Sequence, residues 1–332
     1  MPEHFANYIR IGRYKCFESF SVDGFKRVNL ISGKNNVGKT ALMEAIYISS
    51  LAKDIPNLFA SFWLLHQYRN RAERIEQALV DDEFVAHVKQ RSELINCQTN
   101  LNKVSFEYQK PKLEKLYVCR INHEETVFTE GEMNIASIIK SMKSVAGASF
   151  VPSVRDSQAD IIFAYARVQE KDRESDVNAF IARFDDSIEN VKVIGDAVQC
   201  KVPSRDGGFE YRSLNEFGDG LRHYLSVITN MFAAENEYIF IDELDNGIHY
   251  TLLDQLWEII LTLSNELNVQ VFATTHSKEC IESYCRVAKK LDEREVSLIT
   301  LVKNKSQQIK AIVRDFDMLT DSIDDNREVR GW

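Results

Sequence analysis

Eight residues constrain this chain more than any others: Gly33-Lys34-Asn35-Asn36-Val37-Gly38-Lys39-Thr40, reading GKNNVGKT. They fill the pattern G-x-x-x-x-G-K-[ST] completely. The flanks supply the context the pattern needs, an apolar run VNLIS before it and ALMEAIYISSLA, free of helix breakers, after it. The order predicts strand, loop, helix, with Leu42, Ala45, Ile46 and Ser49 on one helical face. Gly33 and Gly38 let the backbone wrap tightly enough to turn its N–H groups inward, and the positive end of the following helix adds attraction for phosphate. The loop through Asn35, Asn36 and Val37 is the expected phosphate cradle. Lys39 is expected to reach the β- and γ-phosphates, and Thr40 to ligate Mg²⁺. The alternative is a glycine-rich turn that only caps a helix.

A cradle hydrolyses nothing by itself, so a metal carboxylate and a base are sought at the end of another buried strand. Tyr238-Ile239-Phe240-Ile241 reads as that strand, and Asp242-Glu243 follows it. Asp242 is the expected Mg²⁺ carboxylate, acting through water, and Glu243 the group that orients and deprotonates the attacking water. Two such acids could instead cap a helix. A second buried run, VQVFATTHS, brings His276 to the same sheet edge. There it is expected to bond the γ-phosphate or the attacking water, the alternative being a structural histidine. With the helical pattern Tyr250 to Leu267 between them, the two strands make a βαβ crossover, right-handed by default.

Elsewhere, Tyr8 to Ile11 and Phe25 to Ile31 read as paired opening strands. Between residues 52 and 147 short helical patterns occur (Ile75, Ala78, Leu79; Phe84, Val85, Val88), together with the alternating Val104, Phe106, Tyr108. This stretch is expected to be an inserted arm or lid. Ile135, Ile138, Ile139, Met142 and Val177, Phe180, Ile181, Phe184 repeat at helical spacing. Strand-like runs lie at ASFVPSV, at NVKVI and AVQCKV around Gly195-Asp196, and at FEY after Asp206-Gly207-Gly208. VSLITLV and IKAIV predict a terminal hairpin, followed by a short acidic helix over Phe316 to Ile323.

Composition narrows the class. With 332 residues, 44% hydrophobic and 27% charged, the chain is an ordinary globular one of one large or two modest domains. A formal charge of -9 argues against coating nucleic acid through bulk charge, while a local groove stays open. The six scattered cysteines form no C-x-x-C pair, MPEHFANYIRIGRY has no signal-peptide core, and no run approaches ~18 apolar residues. A reducing cytoplasm is the expected location, without membrane contact. No zinc-ligand spacing appears among the seven histidines.

Taken together, GKNNVGKT, IFIDELDNGIH and ATTHS, in this order and spacing, resemble the ABC-class ATPases of the chromosome-maintenance (SMC) and RecF kind. LNEFGDGLRH followed by IDELDNGIHYTLL is similar to the ATPase half of OLD (overcoming lysogenization defect) nucleases and their stand-alone relatives in bacterial anti-phage systems. The resemblance covers nearly the whole chain apart from the middle segment. It implies an α/β fold, an ABC-type P-loop ATPase head with a mixed sheet plus an inserted helical arm or lid. The divisions would be 1–51 for the N-terminal lobe with the P-loop, 52–147 for the arm and 148–332 for the C-terminal lobe.

The resemblance also implies a composite site, in which the P-loop of one subunit is closed across ATP by the signature segment of another. Gly218, Asp219 and Gly220, at the start of a helix from Leu221 to Phe232, occupy that signature position, with Gly218 where a serine is common. Asp245 and Asn246 would be cross-interface contacts, Gln158 is a candidate Mg²⁺-sensing glutamine, and Tyr14 and Lys15 would flank the base. His249 reads as structural. OLD nucleases carry a C-terminal nuclease domain, but only 56 residues follow His276. Asp315-Phe316-Asp317 is read as a solvated acidic turn, so any nuclease is expected on a separate chain.

The leading expectation is therefore an ATP- and Mg²⁺-dependent ATPase subunit. It would self-associate through its nucleotide sites and gate a separate nuclease or toxin effector in anti-phage defence. A RecF-like clamp on DNA and an ATP-bound scaffold with little turnover are the alternatives.

Overall fold

The computed structural model describes residues 2–70, 88, 94–110, 116–129, 134–140, 148–153 and 158–331. At its centre runs a six-stranded sheet in the order β15-β14-β3-β13-β12-β8. It comprises β3 (Val28–Gly33), β8 (Ala148–Val151), β12 (Tyr238–Ile241), β13 (Gln270–Thr274), β14 (Val296–Lys303) and β15 (Ile309–Arg314). Neighbours pair in parallel except β14 with β15. Every residue of β3, β12 and β13 is buried, because both faces of a parallel sheet are covered; they read as largely apolar runs, and the polar Asn29, Ser32, Gln270 and Thr274 within them are hydrogen-bonded.

The two faces feed different cores, and the period-2 alternation sorts the side chains. Ile239, Ile241, Val271, Ala273, Val28 and Leu30 join one cluster, with Tyr165, Tyr224, Trp257 and Tyr284 from the helices that cover that face. Those helices are α4 (Gln158–Glu170), α5 (Glu174–Phe184), α6 (Asp219–Ala233), α7 (Leu253–Glu266) and α8 (Lys278–Leu291). Phe240, Phe272 and Phe150 face the other way in a stacked row across the strands, Phe240 to Phe272 at 5.5 Å and Phe150 to Phe240 at 6.3 Å between centroids. They meet α1 (Lys39–Leu51) and α2 (Ile55–Asn70) in the second cluster.

A second, antiparallel sheet closes that cluster in the order β2-β1-β4-β5-β6-β7. Its strands are β1 (Tyr8–Tyr14), β2 (Phe17–Asp23), β4 (Ile95–Thr99), β5 (Lys103–Gln109), β6 (Leu116–Ile121) and β7 (Glu124–Thr129). Two expectations are corrected here. The first strand pairs with β2, Ile11 opposite Phe20, and not with the strand entering the P-loop, which pairs only with β13 and β14. Lys15, at φ 48°, turns the chain between β1 and β2. The middle segment, expected as a helical arm, contributes four strands over 95–129 that extend the β1–β2 sheet. Buried Ile95, Cys97, Val104, Phe106, Tyr117 and Cys119 anchor them to α1 and α2. α2 and α3 (Ile135–Lys140) are its helices among the described residues, and Val88 is helical. The patterns at Ile75, Ala78, Leu79, Phe84 and Val85, and Met142, lie outside the described residues.

A small sheet, β11-β10-β9, forms from β9 (Asn190–Ile194), β10 (Ala197–Pro203) and β11 (Phe209–Ser213), as the runs around Gly195 predict. The terminal hairpin and the helix after it, α9 (Phe316–Asp324), are also where the sequence puts them. The Asp315-Phe316-Asp317 turn is corrected: Asp315 caps α9 by accepting from Met318 N–H, and Asp317 pairs with Arg294. No helix among the described residues is long and apolar enough to cross a membrane.

Candidate nucleotide site

The site lies at the C-terminal edge of the central sheet, where β3, β12 and β13 all end. The loop after β3 is shaped by glycine at the two places that admit nothing else. Gly33 has φ +150°, and a Cβ there would lie 2.8 Å from both Leu301 O and Val37 Cγ1. Gly38, at φ +109°, is the residue before α1, and a Cβ would come 2.7 Å from Cys16 Sγ. Between them Asn35 and Asn36 are exposed, Asn36 at φ 60°, and Val37 is buried as the loop's anchor. Lys39 lies half-buried over the loop, its ammonium donating to Gly33 O at 3.0 Å and Lys34 O at 3.3 Å. Burial pushes its pKa down, and the carboxylates of Glu243, Asp242 and Asp245 oppose that shift.

Thr40, the first-turn hydroxyl of α1, donates to Asp242 Oδ1 at 3.2 Å and Oδ2 at 3.1 Å. The two are 202 residues apart in the chain. Asp242 is 7% exposed. Its burial raises its pKa, hydrogen bonds from Thr274 and Thr40 lower it, and the charges of Glu243 and Glu44 raise it further. Thr274 Oγ1 donates to Asp242 Oδ1 at 2.6 Å and accepts from the Glu243 N–H at 2.8 Å. Glu243 itself stands at φ 52°, half-buried. His276, two residues past β13, is exposed at the same edge. Next to it, Thr275 donates its N–H to Ile31 O and its hydroxyl to Asp245 Oδ1 at 2.7 Å.

Facing hydroxyl and carboxylate oxygens from Thr40 and Asp242 are hard donors of the kind Mg²⁺ takes. Among the described residues no group of three or more His, Cys, Asp or Glu could hold a metal. The pair therefore suits an ion that keeps waters and nucleotide oxygens, not a protein-only cage.

The segment expected as the signature joins the same edge. Gly218 precedes α6 with no side-chain cap, and a Cβ on it would meet nothing within 4 Å. Gly220 packs onto the turn after the acidic pair, where a Cβ would lie 2.9 Å from Gly247 O. Buried His223 adds a ring-nitrogen contact to Leu244 O at 3.0 Å. Asp245 is tied to Thr275, and the Asn246 amide donates to Ser153 O at 2.8 Å, so both are engaged within the chain. The structure thus brings residues 33–40, Asp242, Glu243, His276 and the start of α6 to one edge.

Three further residues have different surroundings. Gln158 begins α4, donating to Asp196 O and accepting from Asn215, on the β9–β10 side. Tyr14 cannot stack on a base: it is fully buried and its hydroxyl donates to Glu44 Oε2 at 3.3 Å. Lys15 is ion-paired with the same Glu44. Glu44, on α1 and only 2% exposed, also accepts from Arg69 of α2 at 2.8 Å. Sequence reasoning missed Glu44 and Thr274. The polar Thr274 at the end of a buried strand, just before His276, was the available signal.

Comparison with known proteins agrees with this geometry. The family model described as "AAA domain, putative AbiEii toxin, Type IV TA system" matches residues 106–282, from β5 through Asp242, Glu243 and His276. An ATP/GTP phosphatase of Helicobacter pylori is 24% identical over 348 residues, spanning 91% of this chain and 93% of that protein. The DNA replication and repair protein RecF of Bacillus cytotoxicus is 30% identical over 131 residues, 40% of this chain and 30% of RecF. The SMC head bound to the C-winged helix domain of ScpA superposes with a TM-score of 0.51 at 10% identity, covering 94% of this chain and 98% of that one. A Pyrococcus furiosus SMC head with an extended coiled coil gives 0.50 at 10% identity, covering 98% and 100%. At such identities the likeness is one of fold. The chain belongs to this AAA-domain family, and it is an ATPase with the ABC-type P-loop fold seen in SMC heads.

Proposed function

We propose that the chain hydrolyses ATP with Mg²⁺ at a site closed by a second copy, and that nucleotide-dependent assembly gates a separate nuclease or toxin effector in anti-phage defence, as in the stand-alone OLD-type ATPases. The observation that carries the nucleotide half is the meeting of Thr40 with Asp242 beneath Lys39. In this reading the loop N–H groups of 33–38 and Lys39 hold the β- and γ-phosphates, and Thr40 and Asp242 would hold Mg²⁺, which when bound would supply charge neutralisation on the transferred phosphoryl group. Glu243 accepts the proton of the attacking water, and His276 bonds the γ-phosphate oxygen or that water. Gly218, Asp219 and Gly220 present helix N–H groups to the γ-phosphate of the other copy, with Asn246 beside them.

The defence setting rests on the resemblance of LNEFGDGLRH and IDELDNGIHYTLL and is consistent with the family's toxin-system description. The RecF match favours a second reading, a clamp on DNA, which the net charge of -9 opposes except through a local groove.

The test is light-scattering mass with and without ATP and Mg²⁺, run beside phosphate release, on wild type and Glu243→Gln. The expected result is a variant that assembles with ATP and stops turning over. A mass indifferent to nucleotide, with Glu243→Gln hydrolysing normally, refutes both the shared site and the base. Salt-dependent binding of duplex DNA that needs ATP would select the clamp.

A further inference from the structure

Thr274 ends β13 with no exposure, yet its hydroxyl both donates and accepts. A hydroxyl has one proton to give and lone pairs to receive. Here the proton goes to Asp242 Oδ1 at 2.6 Å, and a lone pair receives the Glu243 N–H at 2.8 Å. One oxygen atom therefore touches the side chain of the first acid and the backbone of the second.

The backbone of Glu243 needs such a hold. Its φ of 52° lies in the left-handed region, which a residue with a Cβ occupies only where its surroundings over-determine it. Asp242 N–H is fixed on Val151 O at 2.8 Å and Leu244 N–H on Thr274 O at 3.0 Å, so the residues on either side are pinned to the flanking strands. Thr274 Oγ1 supplies the remaining tie, at Glu243 itself. Asp242 rotation is limited in the same way: Thr40 reaches both of its oxygens, and Thr274 selects one of them.

We infer that Thr274 is a positioning residue for both acids, its hydroxyl setting the rotamer of Asp242 and the backbone from which Glu243 projects. It deepens the proposed function, since it rests on Asp242 and Glu243 acting as described there. The roles are separable because phosphate binding by residues 33–39 does not pass through Thr274.

The experiment compares Thr274→Val, which keeps the branched shape and removes the hydroxyl, with Thr274→Ser, which keeps the hydroxyl, and with Glu243→Gln, all in the full chain. Steady-state ATP turnover, affinity for a fluorescent ATP analogue and amide exchange of the peptide holding Glu243 without nucleotide are read in parallel. Thr274→Val should lower kcat by about 10- to 100-fold, with analogue affinity within about threefold and faster exchange at Glu243. Thr274→Ser should stay within about threefold of wild type in every readout. Wild-type turnover in Thr274→Val, with Glu243→Gln inactive, overturns the inference and leaves the proposed function standing. Equal losses in Val and Ser overturn it too, because the hydroxyl would not be the cause. Wild-type turnover in Glu243→Gln removes the proposed function and the inference with it. Should Thr274→Val fail to fold, Thr274→Cys decides: reduced kcat with retained binding supports the inference, and wild-type kcat overturns it.

Discussion

Gly218 and Gly220 are two residues apart at the start of α6, and the structure predicts opposite fates for them on conversion to alanine. At Gly220 the new Cβ would stand 2.9 Å from Gly247 O, where an ordinary contact is 3.4 Å or more, so two backbones must part by about half an ångström. Neither side yields cheaply. Gly247 is held at φ 73° in the turn after Glu243, and α6 is fixed by His223 on Leu244 O. Overpacking of this kind costs about 1–3 kcal/mol. At Gly218 a Cβ meets open space and φ is −63°, so Gly218→Ala, and Gly218→Ser with it, should change stability by no more than about 0.5 kcal/mol. Urea unfolding of the two alanine variants, followed by ATP turnover, makes the comparison. Gly220→Ala should be the less stable and should also lose turnover, because the strain falls where the start of α6 packs on the turn that follows the acids. Equal stabilities would refute the argument, as would a more stable Gly220→Ala.

Two further outcomes are expected. Burial raises the Asp242 pKa, so its protonated form favours the fold below the ordinary carboxylate range, and that contribution is lost as pH rises through the raised value. Asp242→Asn should therefore melt higher than wild type at about pH 7 without nucleotide, with a gap that closes toward about pH 4, while turnover disappears. A variant melting lower at neutral pH would count against it in differential scanning fluorimetry. Glu44→Gln removes a 2% exposed charge facing Lys15 and Arg69, whose side chains are 30% and 28% exposed and can rehydrate. The cost should then be about 2–3 kcal/mol, below that of a wholly buried pair, and a change under about 0.5 kcal/mol in urea unfolding would contradict it.

Much of the site was legible because its parts are local patterns. GKNNVGKT carries its own turn chemistry, and YIFI and VQVFAT are buried on both faces, so apolar residues dominate both runs. The β1–β2 hairpin was not legible in the same way. In Phe17–Asp23 the burial pattern skips two residues after Phe17 before alternating, and Ser19 sits at φ 49°, which breaks the strict period of two. Of the middle strands only β5 showed, as the alternating Val104, Phe106 and Tyr108; the inward positions of its neighbours include Cys97, Thr99 and Cys119, weak apolar signals beside the helical spacing upstream. Tyr14 shows the limit of local reading. Its ring suits a base-stacking role until Glu44, thirty residues on, claims its hydroxyl.

The pairing of β3 bears on how the chain is made. This strand, buried along its whole length, has only β13 and β14 as neighbours, with Val28 opposite Val271 and Val296. On the ribosome it emerges early and must wait for roughly 240 more residues, some ten to fifty seconds at ~5–20 residues per second. Through that interval an apolar strand with both edges open is available to any other nascent chain or to a chaperone. The strand that leads into the glycine-rich loop is thus a hazard during synthesis, and holdase dependence should track the translation time of the stretch between β3 and β14.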